Sequence, residues 1–535
     1  MARGDDVRDG FDRGVEPEPE VKAPQRRLGW SLVAGVSSTA WTAIVTLATV
    51  PLYLHYLGIE AYGLIGFFAA MQGVFALLEV GLSQTINREV ARSSADHERR
   101  QARDLLHTLA LGYWAVAGAI AIGVWAAARP IAGAWLVSAG IDRETLSRAV
   151  ALMGLVVACR FPLSLYLGAL MGARRMALAS GIEILMVTVA NLGAVVILAT
   201  VSANIQAFFL WQALVALANV ALVRAVAWRA LGLAKGGLRP RFDPSGVRRV
   251  RHFTIGVAIA AVVGMVFVQG DKIILSRMVG LADLGRYTLA GVGARSLYVL
   301  VAPVFGAVFP QLASLHAAGD TEGIVQLYRS GARLMMAVIV PVAAYAGLFA
   351  QDIFSVWTGD AQLAKSISVV VPLLLVGTAL NGAMHFPYAL QLAYGKSSLT
   401  MVINVTLLAV FVPLVMLLCS RYGIVGAAGA WALLNVMYLI LGVWLTHREL
   451  LRGVGGRWIA GDVGVPVLVG VLLMTAGVLA IQRLDLGVPA RMTAGAVLAA
   501  LSILAIFSLS PGLLPFARRL FAPSSPLPTE ARGRG

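Results

Sequence analysis

Two arginines stand inside otherwise uncharged apolar stretches, Arg160 in ALMGLVVACRFPLSLYL and Arg295 in YTLAGVGARSLYVLVAPVFG. An Arg in the middle of a hydrocarbon-spanning helix costs about 2.5–3.5 kcal/mol on insertion scales, so such a side chain faces a water-filled cavity or a partner. Guanidinium groups bind phosphate oxygens through paired, planar hydrogen bonds. Two of them reaching one cavity from opposite halves of the chain could hold a compact anion such as a diphosphate. The same charges could instead neutralise Glu79, Asp271 or Glu183, acids that also lie within or beside apolar runs, and then serve packing alone. Asp271 and Glu79 have a further option, as coupling carboxylates.

Other polar side chains recur at helical spacing. Asn381, His385 and Tyr388 follow an i, i+4, i+7 stripe with Gln391 nearby, and Gln72 and Glu79 are seven apart. Such stripes line cavities or meet neighbouring helices, where they hydrogen-bond across the interface.

Membrane helices must position these groups. Of the 535 residues 59% are hydrophobic and only 13% charged, against about 25% charged in a soluble domain. With a mean hydropathy of +0.81, the chain reads as an all-α polytopic membrane protein. Apolar runs long enough to cross a bilayer fall near 31–54, 63–86, 105–128, 149–171, 181–201, 205–228, 253–275, 287–309, 334–351, 367–393, 399–419, 426–446, 463–481 and 492–510. That is about fourteen helices. Of the 43 Lys and Arg, 31 fall on the side that holds both termini, counting Arg224 in the last turn of the helix at 205–228, 9 on the other, and Arg160, Lys272 and Arg295 farther inside helices. Cytoplasmic segments carry the excess of Lys and Arg, so both termini are expected in the cytoplasm and the net charge of +16 needs no nucleic acid to explain it.

Drawn this way, Arg160 lies about twelve residues and Arg295 about nine from the outer helix ends, roughly 18 and 13 Å deep. The domain reading is a disordered cytoplasmic tail over 1–27, a first lobe over 28–228 and a basic cytoplasmic linker over 229–252. A second lobe follows over 253–447, then two further helices within 448–510 and a tail over 511–535.

The two lobes repeat each other. Leu57-Gly58 followed by Gly63 recurs as Val279-Gly280 followed by Gly285 at an offset of 222, and Gly172 matches Gly395 at 223. The period holds six helices, an even number, so both copies share one orientation. A parallel repeat about an axis along the membrane normal is expected.

Several of these landmarks carry a family resemblance. PLYLHYLGIEAYG (51–63), EVGL (79–82), DKIILSRMVGLADLGRY (271–287), PQLA (310–313) and GIVGAAGA (423–430) are similar to Wzx-type polysaccharide flippases of the multidrug/oligosaccharidyl-lipid/polysaccharide exporter superfamily. The resemblance spans the first twelve helices and is most specific in 271–287. It implies a bacterial inner-membrane transporter that moves an undecaprenyl-diphosphate-linked oligosaccharide to the outer leaflet by alternating access. It also implies O-antigen, capsule or exopolysaccharide synthesis, with a polysaccharide polymerase and other assembly proteins as partners. Peptidoglycan lipid flippases of the superfamily carry charges in the first helix, whereas 31–54 has none. Under this reading Arg160 and Arg295 bind the diphosphate, and Gln72, Asn381, His385, Tyr388 and Gln391 offer donors and acceptors to sugar hydroxyls.

Two rival functions are weighed against it. A cation-coupled multidrug exporter of the same architecture would more naturally show acidic or aromatic cavity residues, and a membrane polysaccharide polymerase usually needs a larger outer loop than 129–148. No metal-ligand motif or cofactor is expected, since GKS at 395–397 lacks the glycine that a phosphate-binding loop needs at position 390. Cys159 and Cys419 sit in apolar runs as core residues.

Overall fold

In the computed structural model, residues 23–92, 96–231, 269–510 and 512–521 are described. The elements in chain order are α1 (Ala23–Arg92), α2 (Asp96–Pro130), a π turn (Ile131–Trp135), α3 (Arg143–Gly172), α4 (Met176–Thr200) and α5 (Ile205–Ala230). The second half holds α6 (269–278), α7 (Leu281–Arg295), α8 (Tyr298–Ala317), α9 (Thr321–Leu348), the short α10 (Ala350–Thr358) and α11 (Ala361–Ile367), α12 (Val370–Ala393) and α13 (Ser397–Glu449). The last elements are α14 (Gly455–Arg457), a second π turn (Trp458–Gly464), α15 (Val465–Gln482), α16 (Val488–Ser508) and α17 (Leu513–Phe521). The fold is all-α. Among the described residues the one β-type pairing is an isolated bridge between Val137 and Gly280, and eleven helices are long and apolar enough to cross a membrane.

Two of those eleven each hold a pair of the expected helices. α1 breaks at Gly58 (φ 77°) and α13 at Gly423 (φ 57°), and the left-handed region is where glycine substitutes badly. The helix expected near 253–275 is described only over 269–278, and the linker 229–252 and the tail 1–22 lie outside the described residues apart from 229–231. Three elements were not anticipated: α10 and α11 between the ninth and tenth expected helices, and α17 inside the segment read as a tail.

The helix starts follow local capping chemistry. Asp142 accepts from the Thr145 backbone N–H at 2.8 Å and opens α3, Asn204 accepts from Gln206 at 2.7 Å and opens α5, and Asp320 accepts from Gly323 at 2.8 Å and opens α9. The bond from Thr145 holds the Asp142 carboxyl below the usual carboxylate range. Pro51, Pro162, Pro303, Pro310, Pro341, Pro387 and Pro413 all sit within helices. Membrane helices tolerate this because neighbouring groups satisfy the freed carbonyls.

The helices pack in two groups, α1–α5 and α7–α13, with α15 and α16 laid against α9. The groups meet where α1 crosses α7, and the crossing is symmetric. A Cβ on Gly63 would lie 1.9 Å from the Leu281 carbonyl oxygen and 3.0 Å from Gly285 N; one on Gly285 would lie 2.3 Å from the Ile59 carbonyl oxygen and 3.0 Å from Gly63 N. Ile59 and Leu281, like Gly63 and Gly285, are separated by the repeat length of 222. A contact that exchanges into itself in this way places a pseudo-two-fold axis between the two glycines.

The other landmark is corrected by two residues. After α3 the backbone donates from Ala173 to Ala169, Arg174 to Met171 and Arg175 to Leu170; after α12 it donates from Tyr394 to Leu390, Gly395 to Leu392 and Lys396 to Gln391. The structural partner of Gly395 (φ 66°) is therefore Arg174 (φ 57°), not Gly172. Gly172 is the last residue of α3 and packs on the Asn87 carbonyl and Val90. Both turns are helix terminations that need a left-handed residue.

At the second π turn, fully buried Asp462 accepts from Arg329 Nε at 2.6 Å and from Arg333 Nε at 3.1 Å. Removing one partner of a buried ion pair costs about 3–5 kcal/mol. The two guanidinium groups are a third exposed, so Asp462→Ala is expected to cost about 2–3 kcal/mol, read as a lowered midpoint of thermal unfolding in detergent. Asp462→Asn should recover part of the loss, because its oxygen still accepts.

Candidate functional site

A cavity of about 650 Å³ lies within the first helix group. Its walls come from α1, α3, α4 and α5, and the second group contributes Thr288, Val292 and Arg295 of α7. These three follow an i, i+4, i+7 stripe on one helical face. Arg160 on α3 lines the same cavity, so the structure brings the two anticipated arginines to one space. Both lie farther from their helix starts than the sequence suggested. α3 begins at Arg143 and α7 at Leu281, about six residues earlier than drawn, which puts the two guanidinium-bearing residues roughly 26 and 21 Å from those helix starts.

Two of the acids named as alternative partners, Asp271 and Glu183, have other hydrogen-bond partners. Asp271 accepts from the Tyr287 hydroxyl at 2.9 Å and stands 3.7 Å from the Lys272 ammonium. Lys272 is itself buried and donates to Gln269 at 3.0 Å. Glu183 lines the cavity and accepts from the Ser38 hydroxyl at 2.7 Å. The Glu79 side chain lies outside the described residues. Among the described residues Arg295 forms no ion pair.

Gln72 lines the cavity. Asn381, His385, Tyr388 and Gln391 do not line it; they tie α12 to its own group. Asn381 accepts from the Tyr298 hydroxyl at 3.0 Å and donates to Asn435 at 2.9 Å, and His385 Nδ1 sits 3.0 Å from the Asn381 carbonyl. The Tyr388 ring stacks on Phe305 with centroids 6.2 Å apart, and buried Gln391 donates to Thr446 at 2.6 Å.

The polar lining that sequence reading missed lies on α4 and α5. Asn191 receives the Tyr53 hydroxyl, through its carbonyl oxygen at 3.1 Å, and Gln212 and Asn219 project into the space. The signal was present: 212, 215, 216, 219 and 223 are all lining positions on α5 and repeat at helical spacing. Cys159 of α3 lines the same cavity, and both cysteines are buried.

One end of this assembly is laced shut. Leu281 N donates to the Val137 carbonyl at 2.8 Å, joining the loop after α2 to the start of α7. The Glu60 carboxylate accepts from Ser138 Oγ at 2.7 Å and from the backbone N–H groups of Ala139 and Gly140 at 2.7 and 2.9 Å, pinning that loop to α1. The symmetric glycine contact lies in the same region.

Two pseudo-symmetric groups of membrane-crossing helices, with a cavity that draws side chains from both, make up the architecture of a membrane transporter. Residues 32–316 match the family described as polysaccharide biosynthesis protein, and the chain belongs to that family. A Shigella flexneri protein named as an O-antigen transporter is 22% identical over 429 residues, covering 77% of this chain and 98% of that one. The fold is similar to lipid II flippase MurJ in an inward closed conformation, with a TM-score of 0.68 at 10% identity over 89% of this chain and 99% of that one. It is also similar to an inward-facing MATE-family multidrug resistance transporter of the MOP superfamily, with a TM-score of 0.62 at 12% identity over 79% and 96%.

Proposed function

We propose that this transporter carries an undecaprenyl-diphosphate-linked oligosaccharide from the cytoplasmic to the outer leaflet of the bacterial inner membrane, in surface polysaccharide synthesis. The observation that carries this reading is the convergence of Arg160 and Arg295 on one cavity, with no carboxylate paired to Arg295 among the described residues. Charge-assisted, bidentate bonds from two guanidinium groups suit the diphosphate. Gln72, Asn191, Gln212 and Asn219 suit the first sugar hydroxyls, and the prenyl chain stays in lipid. The family and the Shigella relative support a polysaccharide-linked cargo, with a polysaccharide polymerase acting next on the delivered unit.

With both termini in the cytoplasm, the laced end at Val137 and Gly280 faces outward, and the cavity of this conformation serves the cytoplasmic leaflet. Exchange with an outward-open form, by rocking the two lobes about the α1–α7 crossing, completes the cycle. The multidrug exporter shares the fold, but an organic cation in this cavity would meet two guanidinium groups against the one carboxylate, Glu183, among the described lining residues.

Reconstitution into vesicles with a fluorescent polyprenyl-diphosphate oligosaccharide tests the reading. Lipid moved between leaflets, with a polyprenyl monophosphate sugar moved at least tenfold more slowly, is the expected result. Equal rates for the two lipids, or transport of an organic cation with no lipid movement, would overturn it.

A further inference from the structure

A second, smaller pocket of about 300 Å³ lies far from the transport cavity, between α9 and the unanticipated α17. Three of its walls are Gln326, Ser330 and Arg333, an i, i+4, i+7 stripe on α9, and Arg519 faces them from α17. Its size is at the lower end of small-ligand sites, about 300–1,000 Å³.

Its charge is positive. Arg333 uses its Nε and one terminal nitrogen on Asp462, which also takes Arg329. Three charged groups thus leave a net +1 and an uncommitted guanidinium edge on Arg333. Arg519 adds a second positive charge, and among the described residues no acidic side chain lines the pocket.

The position of α17 says where an anion would come from. Leu513 is 3% exposed, and Phe516 and Leu520 lie on the same face, against the cluster of Leu334, Ala337 and Ile506. Leu514 is 48% exposed, and Arg518 and Arg519 sit on the polar side. A short helix with one docked apolar face, one exposed leucine and paired arginines, separated by four residues from the end of the last membrane-crossing helix at Ser508, lies at headgroup depth. The cation count puts this end in the cytoplasm, at the leaflet whose anionic lipids attract juxtamembrane Arg.

We propose that the α9–α17 pocket seats the phosphate of an anionic phospholipid of the cytoplasmic leaflet, held by Arg333 and Arg519 with Ser330 and Gln326 as hydrogen-bond donors. The bound lipid fixes α17 against α9 and so braces the second lobe at the membrane surface. Nothing in this assignment depends on the transported substrate.

Full-length protein in phosphatidylcholine nanodiscs, with and without phosphatidylglycerol, tests it by thermal unfolding. Phosphatidylglycerol should raise the melting temperature of the wild type. Arg519→Gln should lose most of that rise, whereas Arg518→Gln, at an exposed neighbouring position outside the pocket, should keep it. An undiminished rise in Arg519→Gln overturns the proposal, as does an equal loss in both variants, which would mean diffuse surface charge. If inorganic phosphate added to the detergent-solubilised protein gives the same Arg519-dependent rise, the site takes free phosphate, and the lipid assignment fails.

Discussion

Arg295→Gln is expected to abolish complementation of a strain lacking its own oligosaccharide-lipid flippase, at normal protein level in the membrane. Hydrogen bonds to charged groups contribute about 1.5–3 kcal/mol each, so losing this guanidinium weakens diphosphate binding roughly tenfold to more than a hundredfold. Arg295 is the only charged residue that α7 contributes to the cavity. On the proposed reading its loss removes the charged contact by which cargo seated in the first lobe engages the second. Arg160→Gln should act in the same direction. Arg295→Lys should rescue poorly, because a compact ammonium cannot reproduce a planar, two-pronged contact.

A purely structural role for Arg295 predicts a different pattern. If Arg295 served only to neutralise an acid, its removal would strand a buried charge, and neutralising both partners should restore expression and activity. Asp271 is the nearest candidate by sequence, yet it is bonded to Tyr287 and stands beside Lys272. Arg295→Gln combined with Asp271→Asn should therefore fail to restore transport. Full complementation by Arg295→Gln alone would remove this residue from the mechanism.

Much of the fold was legible because membrane helices announce themselves by length and hydropathy, and the two arginines because a charge in an apolar run is rare. Gly63 and Gly285 were legible as a repeat because backbones that approach this closely leave no room for a Cβ. The turn landmark misled by two residues: matching glycine to glycine paired Gly172 with Gly395, while the backbone gives the left-handed position to Arg174, a residue type that does not advertise it. The stripe Asn381, His385 and Tyr388 was a true polar face. Periodicity does not say whether such a face meets water or another helix, and α12 is packed by α8, α9 and α13. Gln212 and Asn219 went unweighed because they sit singly among apolar neighbours in the middle of α5. α17 was missed because nine residues are too few to stand out beside a polar tail.

The α1–α7 crossing gives the other large effect. Gly63→Ala adds one methyl group where the Leu281 carbonyl oxygen already stands 1.9 Å from the Cβ position. Alanine is the best helix former, so the helix itself is not impaired, and the substitution acts on the crossing. Overpacking of this kind costs about 1–3 kcal/mol, and a shift at the upper end changes the ratio of two conformations more than a hundredfold. The laced end should open, because the conformation with α1 and α7 apart is the one that accommodates the methyl group.

In a background with Cys159 and Cys419 replaced, Thr46→Cys places a thiol on the cavity wall, to be labelled with a membrane-impermeant maleimide applied from outside intact cells. Labelling should be slow in the parent and at least tenfold faster with Gly63→Ala. Gly112→Ala, where a Cβ meets no neighbouring atom within 4 Å, should leave the parent rate. Because the contact exchanges into itself, Gly285→Ala should reproduce the effect of Gly63→Ala. The double variant should add little, since the first methyl group has already separated the helices. Unchanged external labelling in both single variants, at normal expression, would mean that the α1–α7 crossing is a fixed joint and that any exchange of access happens elsewhere.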